Sequence, residues 1–108
     1  MSVISIATVF VPSKGLAVAH LKSLPSGTVG IRKYWLEYTI NQNLWQSHWV
    51  EVPVPARGSH PQLVSLAVGD DNVLVATVAY GSGAIVAAKL TVAPNWHLVK
   101  RPHLVELL

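Results

Sequence analysis

The stretch that decides the fold is PQLVSLAVGDDNVLVATVAYGSGAIVAAKLTV, at residues 61–92. It contains three short runs rich in Val, Leu and Ala, separated by GDDN and GSG. Asp, Asn and Gly tolerate positive φ, so both separators are typical of hairpin turns. Similar runs, punctuated by Gly, Pro, Ser and Asn, fill the rest of the chain, and helix-period patterning is scarce. The sequence therefore predicts an antiparallel all-β fold.

The composition bounds what such a fold can be. The chain has 108 residues, enough for a single all-β unit spanning 1–108 or for part of a larger domain. Hydrophobic residues make up 51% and charged residues only 12%, whereas soluble domains carry about 25% charged residues. So few charges leave little to cover a lone small globule. We therefore expect part of the surface to be buried against other protein.

Charge and cysteine content exclude several classes of function. The formal net charge is +3, and the basic residues are dispersed along the chain. Nucleic-acid binding needs a clustered basic surface, so no nucleic-acid partner is predicted. The absence of cysteine excludes disulfides and thiolate metal sites. No basic leader precedes the first apolar run, and no apolar stretch reaches the ~20 residues that span a bilayer. We expect a soluble protein without a membrane partner, with the cytoplasm slightly favoured.

The chain also aligns with itself, at offsets that decrease along the sequence. The aligned segments are 4–7 with 64–67 (offset 60), 16–21 with 73–78 (57), 26–36 with 82–92 (56), and Trp49 with Trp96 (47). This alignment matches Lys33 with Lys89 and places the extra residues of the first copy around EYTINQNLWQS. It predicts internal repeats at 2–60 and 61–102, with 103–108 starting a third.

The second copy has a length that is typical of one β-propeller blade. It runs from Pro61 to Pro102, a period of 41 residues (102 − 61), and blades of four strands repeat every ~40–45 residues. Its runs NVLVATVAY and AIVAAKL are apolar or small at both alternating positions, as expected for strands covered on both faces. The sequence predicts about two four-stranded propeller-like blades plus the first strand of a third. A single small β-barrel or sandwich is the alternative, because any protein built of hairpins shows approximate self-similarity.

On these runs and the two tryptophans, the chain resembles β-propeller blade repeats, either WD-repeat-like or like the two-blade propeller lectins. Trp49 is followed by Val50 and Trp96 by His97, where a WD repeat would carry Asp. The resemblance implies a scaffold that binds protein partners, or a sugar-binding ring formed by oligomerisation. Two blades do not close a ring, so it also implies association with further blades.

Aromatic residues in polar segments are the candidate ligand-binding residues. They and their polar neighbours are Trp45, Gln46, His48, Trp49, Trp96 and His97. Flat aromatic faces beside amide and imidazole donors suit recognition of a sugar or a peptide. Packing is the alternative role for Trp49 and Trp96, and the alignment favours it for both.

No catalytic set is visible in the sequence. It has no Gly-x-Ser-x-Gly elbow, no carboxylate pair at a glycosidase spacing, no metal-ligand motif and no phosphate loop. We therefore predict no enzyme activity, no metal and no cofactor. The first functional hypothesis is a non-catalytic interaction scaffold with protein partners, formed by self-association or in a larger complex. The alternative is a carbohydrate-binding lectin formed by oligomerisation of two-blade units.

Overall fold

The computed structural model describes residues 2–25, 32–41, 47–54 and 59–100. These residues form two antiparallel four-stranded sheets, each with its strands in chain order. The first sheet consists of β1 (Ser2–Val11), β2 (Gly15–Pro25), β3 (Arg32–Ile40) and β4 (His48–Val52). The second sheet consists of β5 (Pro61–Val68), β6 (Leu74–Tyr80), β7 (Ile85–Lys89) and β8 (His97–Lys100). The predicted all-β class is confirmed.

The two separators in the opening stretch form the predicted hairpin turns. GDDN makes a single 3-10 turn over Asp70–Asn72, in which Asp71 and Asn72 have φ of 58° and 59°. In GSG, Gly83 has φ of 94° and its N–H donates to the carbonyl oxygen of Tyr80 at 3.0 Å.

In the part of the chain that the structure describes, no helix is long and apolar enough to cross a membrane.

The two sheets pack face to face around one hydrophobic core. Ala17, Leu21 and Leu36 of the first sheet and Ala76 and Val78 of the second are fully buried in this core. Burying each such Leu or Val side chain contributes about 1.5–3 kcal/mol, so the contact holds the sheets together. The described strands do not close into a barrel, so the alternative of a single β-barrel is wrong, while the sandwich alternative, which also consists of two packed sheets, stays open. Segment 103–108, the predicted start of a third repeat, lies outside the described residues.

Hydrogen bonds between the two halves of the chain fix how the sheets sit. The sheets approach most closely between β1 and β5, where the N–H of Val64 donates to Oγ of Ser5 at 3.2 Å. The hydroxyl of Tyr80 donates to the carbonyl oxygen of Pro53, which follows β4. The hydroxyl of Tyr34 and Nδ1 of His60 are 2.8 Å apart. No buried side-chain N or O atom of the described residues lacks a partner.

The first two strands of each sheet correspond at a constant offset of 58 residues. Ser5 pairs with Leu21, and Leu63 with Ala79 (63 − 5 and 79 − 21). The first strand of each sheet has a bulge at the residue before this pair, at position 4 in β1 and position 62 in β5. Each first turn has three residues, 12–14 and 70–72, whose central residues both have positive φ. The offsets of 60 and 57 obtained from the sequence are therefore wrong.

The last two strands correspond at an offset of 49 residues. Tyr38 pairs with His48, and Ala87 with His97 (87 − 38 and 97 − 48). The whole difference of nine residues (58 − 49) therefore lies in the β2–β3 connection, and not around EYTINQNLWQS. Two further sequence-based matches are wrong for the same reason. Lys33 does not correspond to Lys89, and Trp49 corresponds to Leu98 rather than to Trp96.

Hydrogen-bond geometry supports the same offsets. The N–H of Asn41 donates to the carbonyl oxygen of Leu16, and that of Leu90 to the carbonyl oxygen of Leu74. The two donors are 49 residues apart (90 − 41) and the two acceptors 58 apart (74 − 16). Because hydrogen-bonded and non-hydrogen-bonded pairs alternate along an antiparallel ladder, a shift by one residue would mismatch them.

The offsets show that the sheets pack front to back, which means that the two faces in contact are not equivalent faces of the two sheets. The first sheet buries Ala17, Ala19 and Leu21 of β2. The second buries Leu74, Ala76 and Val78 of β6, which correspond to Leu16, Val18 and His20 on the opposite face of β2. Each sheet therefore uses a different face for the contact. The face of each sheet that is turned away from the other is called its outer face below.

Candidate functional site

The outer face of the first sheet exposes large apolar side chains. Ile6 is 58% exposed, Phe10 65% and Leu16 37%. Phe10 and Leu16 are cross-strand partners, and Ile6 pairs with His20 of β2, so these side chains share one face. The equivalents of Ile6 and Leu16 in the second sheet are covered: Val64 is 3% exposed and Leu74 is 4% exposed. A contiguous apolar patch of this kind is typical of a contact surface.

Further along the same face, Lys22, Glu37 and Trp49 form the Lys22 cluster. Nζ of Lys22 donates to Oε1 of Glu37 at 2.6 Å and lies 4.9 Å from the centre of the Trp49 ring. Cross-strand pairing produces the cluster, because Glu37 of β3 is the direct partner of Trp49 of β4. The lysine therefore combines an ion pair with a cation–π contact. Its charge is neutralised on the face itself.

A cleft of about 370 Å³ opens beside this cluster, at the outer margin between the two sheets. Its lining residues are Tyr38, His48, Trp49, Val50, Leu90, Thr91 and Val92. The rings of Tyr38 and His48 stack with their centres 5.1 Å apart. Burial raises the pKa of the Tyr38 hydroxyl above its usual value of 10.0. The cleft thus combines residues of β3 and β4 with the segment 90–92 that follows β7.

The structure brings two of the six predicted ligand-binding residues together. His48 and Trp49 are exposed neighbours at the start of β4 and both line the cleft. Successive side chains of a strand point to opposite faces, so Trp49 lies over Lys22 while His48 stacks on Tyr38. Trp45 and Gln46, which were also predicted to bind ligand, lie outside the described residues.

Neither Trp96 nor His97 lines this cleft. Trp96 is half-buried against the core, and its Nε1–H donates to the carbonyl oxygen of Glu51 at 3.1 Å. It thus packs between the sheets. His97 is exposed at the start of β8, where it pairs with Ala87. His97 corresponds to His48, so an imidazole begins the last strand of each sheet.

The outer face of the second sheet is smooth and has few charges. Ser65 and Ala67 of β5 are exposed, and Thr77 and Ala79 of β6 are half-buried. Among the described residues, the titratable groups at register positions of this face are Lys89, His97 and Lys100. Small side chains let another sheet approach closely. The face is therefore suited to covering by a flat apolar surface.

Sequence reasoning missed most of these features. Ile6, Phe10 and Leu16 looked like ordinary strand residues, because no local pattern tells which face of a strand a second sheet will cover. The charged residues of the Lys22 cluster did carry a signal. Lys22 and Glu37 interrupt apolar runs at alternating positions, which marks a face that is not part of the core.

The described ranges contain no candidate metal site. No group of three or more His, Cys, Asp or Glu side chains there could hold a metal ion. Comparison with known proteins adds no assignment: no protein-family model, no curated protein and no solved structure matches the chain.

Proposed function

We propose that the chain is a non-catalytic interaction scaffold. Its two sheets act as successive blades of a β-propeller portion that assembles with further sheets, from other copies or other chains, and binds protein partners. One observation carries the proposal: the sheets pack front to back, leaving uncovered apolar side chains on the outer face of the first sheet and uncovered small side chains on that of the second. Units related by rotation about a common axis contact each other through two different faces, as these sheets do.

Energetics support covering of the outer faces. Full burial of an exposed Ile or Phe side chain contributes about 1.5–3 kcal/mol, and Ile6 and Phe10, at 58% and 65% exposure, would gain roughly that share of it. The sheets also approach most closely at their first strands, β1 and β5. First strands that converge while the later strands diverge form a wedge, and wedges placed side by side surround an axis.

The test is the native mass and the unfolding midpoint of the purified chain over a wide concentration range. Association should raise the mass above that of one chain and raise the midpoint with concentration, because binding stabilises the folded state by mass action. A monomer whose midpoint is high and independent of concentration would contradict the proposal.

Carbohydrate binding is the second candidate, and the cleft is the observation that favours it. Tyr38 and His48 stack a phenol ring and an imidazole at this opening, and Trp49 is the third aromatic residue that lines it. Aromatic rings bind the apolar faces of sugars, and imidazole can hydrogen-bond their hydroxyl groups. A glycan array probed with the wild type and with Trp49→Ala tests it, with His97→Ala as the control outside the cleft. Absence of any glycan signal that Trp49→Ala removes would count against a lectin.

A further inference from the structure

The two outer faces repeat the two faces that already fit each other inside the chain. At positions where the second sheet buries Val64 and Leu74, the first sheet exposes Ile6 and Leu16 on its outer face. The outer face of the first sheet is thus equivalent to the face of the second sheet that the first sheet covers, but it is itself exposed.

The complementary surface is present as well. Where the first sheet presents Ala7 and Ala19 to the core, the second sheet carries Ser65 and Thr77 on its outer face, 58 residues later. Both pairs consist of small side chains, so the backbone can approach equally closely at both places. One molecule therefore exposes both of the surfaces that a front-to-back contact between two copies needs.

We propose that the outer face of the first sheet binds the outer face of the second sheet of another copy of this chain. The contact is the same front-to-back packing that joins the two sheets within the chain, and it rests on the proposed scaffold function. Such a head-to-tail contact uses two different surfaces, so it repeats from copy to copy until the stack closes into a ring.

The contact between copies is weaker than the contact within the chain. Lys22 and Glu37 occupy positions of the first sheet's outer face that correspond to Tyr80 (80 − 22 = 58) and Val86 (86 − 37 = 49). Covering an ion pair removes water from both charges, and this cost offsets much of the gain from the apolar contacts. We therefore expect reversible, concentration-dependent assembly.

The test uses two variants that each block one surface. Phe10→Lys places a charge on the outer face of the first sheet, and Thr77→Arg places one on the outer face of the second. Each variant alone should lose the higher-order mass of the wild type. An equimolar mixture should form a dimer containing one copy of each, because one intact surface of each kind remains. Asn95→Arg, at an exposed site between β7 and β8, is the matched control and should keep the wild-type mass.

Other outcomes separate the inference from the proposed function. Assembly that Phe10→Lys abolishes and Thr77→Arg leaves intact would indicate a symmetric contact between first sheets, and would overturn the inference alone. A wild type that is monomeric at every concentration would overturn the inference, and one that also has a high unfolding midpoint without any partner would overturn the proposed function as well. Far-UV circular dichroism and thermal melting of each variant establish that it folds. If Phe10→Lys does not fold, Ile6→Thr is the replacement, and its expected result is a weaker assembly with a higher dissociation constant.

Discussion

Trp96 closes the second sheet onto the last strand of the first, because its indole N–H donates to the carbonyl oxygen of Glu51 at 3.1 Å. The same side chain is half-buried against the core. Its role is therefore to join the sheets at the margin opposite to the β1–β5 contact.

Replacing this indole should weaken the contact between the sheets. Trp96→Phe removes the hydrogen bond and part of the buried ring, so we expect a loss of about 1–2 kcal/mol in the free energy of unfolding. Urea denaturation measures it. Trp49→Phe is the matched control, because Trp49 is 40% exposed and should change stability less. Equal losses for the two variants would contradict the distinction between these tryptophans.

Tyr80 makes stability fall at alkaline pH. Burial raises the pKa of its hydroxyl above the ordinary value of 10.0. The folded state therefore holds this proton more tightly than the unfolded state does, so its contribution is complete below about pH 10 and is lost as the pH rises toward the folded-state pKa. Tyr80→Phe should be less stable at neutral pH, because the hydrogen bond to Pro53 is lost, and should show a shallower alkaline decline. Denaturation curves at a series of pH values test this, and an unchanged alkaline slope would exclude the role.

The Lys22–Glu37 ion pair should contribute little to the stability of the isolated chain. The two side chains keep partial contact with water, at 16% and 22% exposure, and desolvation of the two charges offsets part of their attraction. A double-mutant cycle with Lys22→Met and Glu37→Gln should give a coupling energy below about 1 kcal/mol that decreases with added salt. A larger coupling that salt leaves unchanged would show that the pair is shielded from solvent, as it would be in an assembled contact.

Gly15 is required by the turn between β1 and β2. Its φ is +110°, and a Cβ built on it would lie 2.8 Å from Oδ1 of Asn41. Gly15→Ala should therefore destabilise the chain by about 1–3 kcal/mol. The equivalent position in the second sheet is Val73, with φ of −82°, so Val73→Ala is a control in which no backbone strain arises. Thermal unfolding compares them, and a neutral Gly15→Ala would be unexpected for this geometry.

The sequence was sufficient for the strands but not for their registers. Runs such as NVLVATVAY and separators such as GDDN determine local structure, and the strands and turns predicted from them are confirmed. Register depends on the hydrogen-bond ladder, and a slip by one residue exchanges the two faces of a strand. Matching Trp49 with Trp96 by identity made such a slip, whereas matching His48 with His97 would have avoided it. The uncovered apolar face followed from packing between sheets, which no single strand encodes.

The lengths of the connections suggest where this chain accepts change. The first turns are both three residues long, and the β3–β4 and β7–β8 connections also agree in length, while the β2–β3 hairpin is nine residues longer than its counterpart around Gly81–Gly83. The first sheet keeps the same pairing despite that extension. The short β6–β7 turn is thus a natural site for grafting a peptide epitope or a recognition loop without disturbing the ladder on either side.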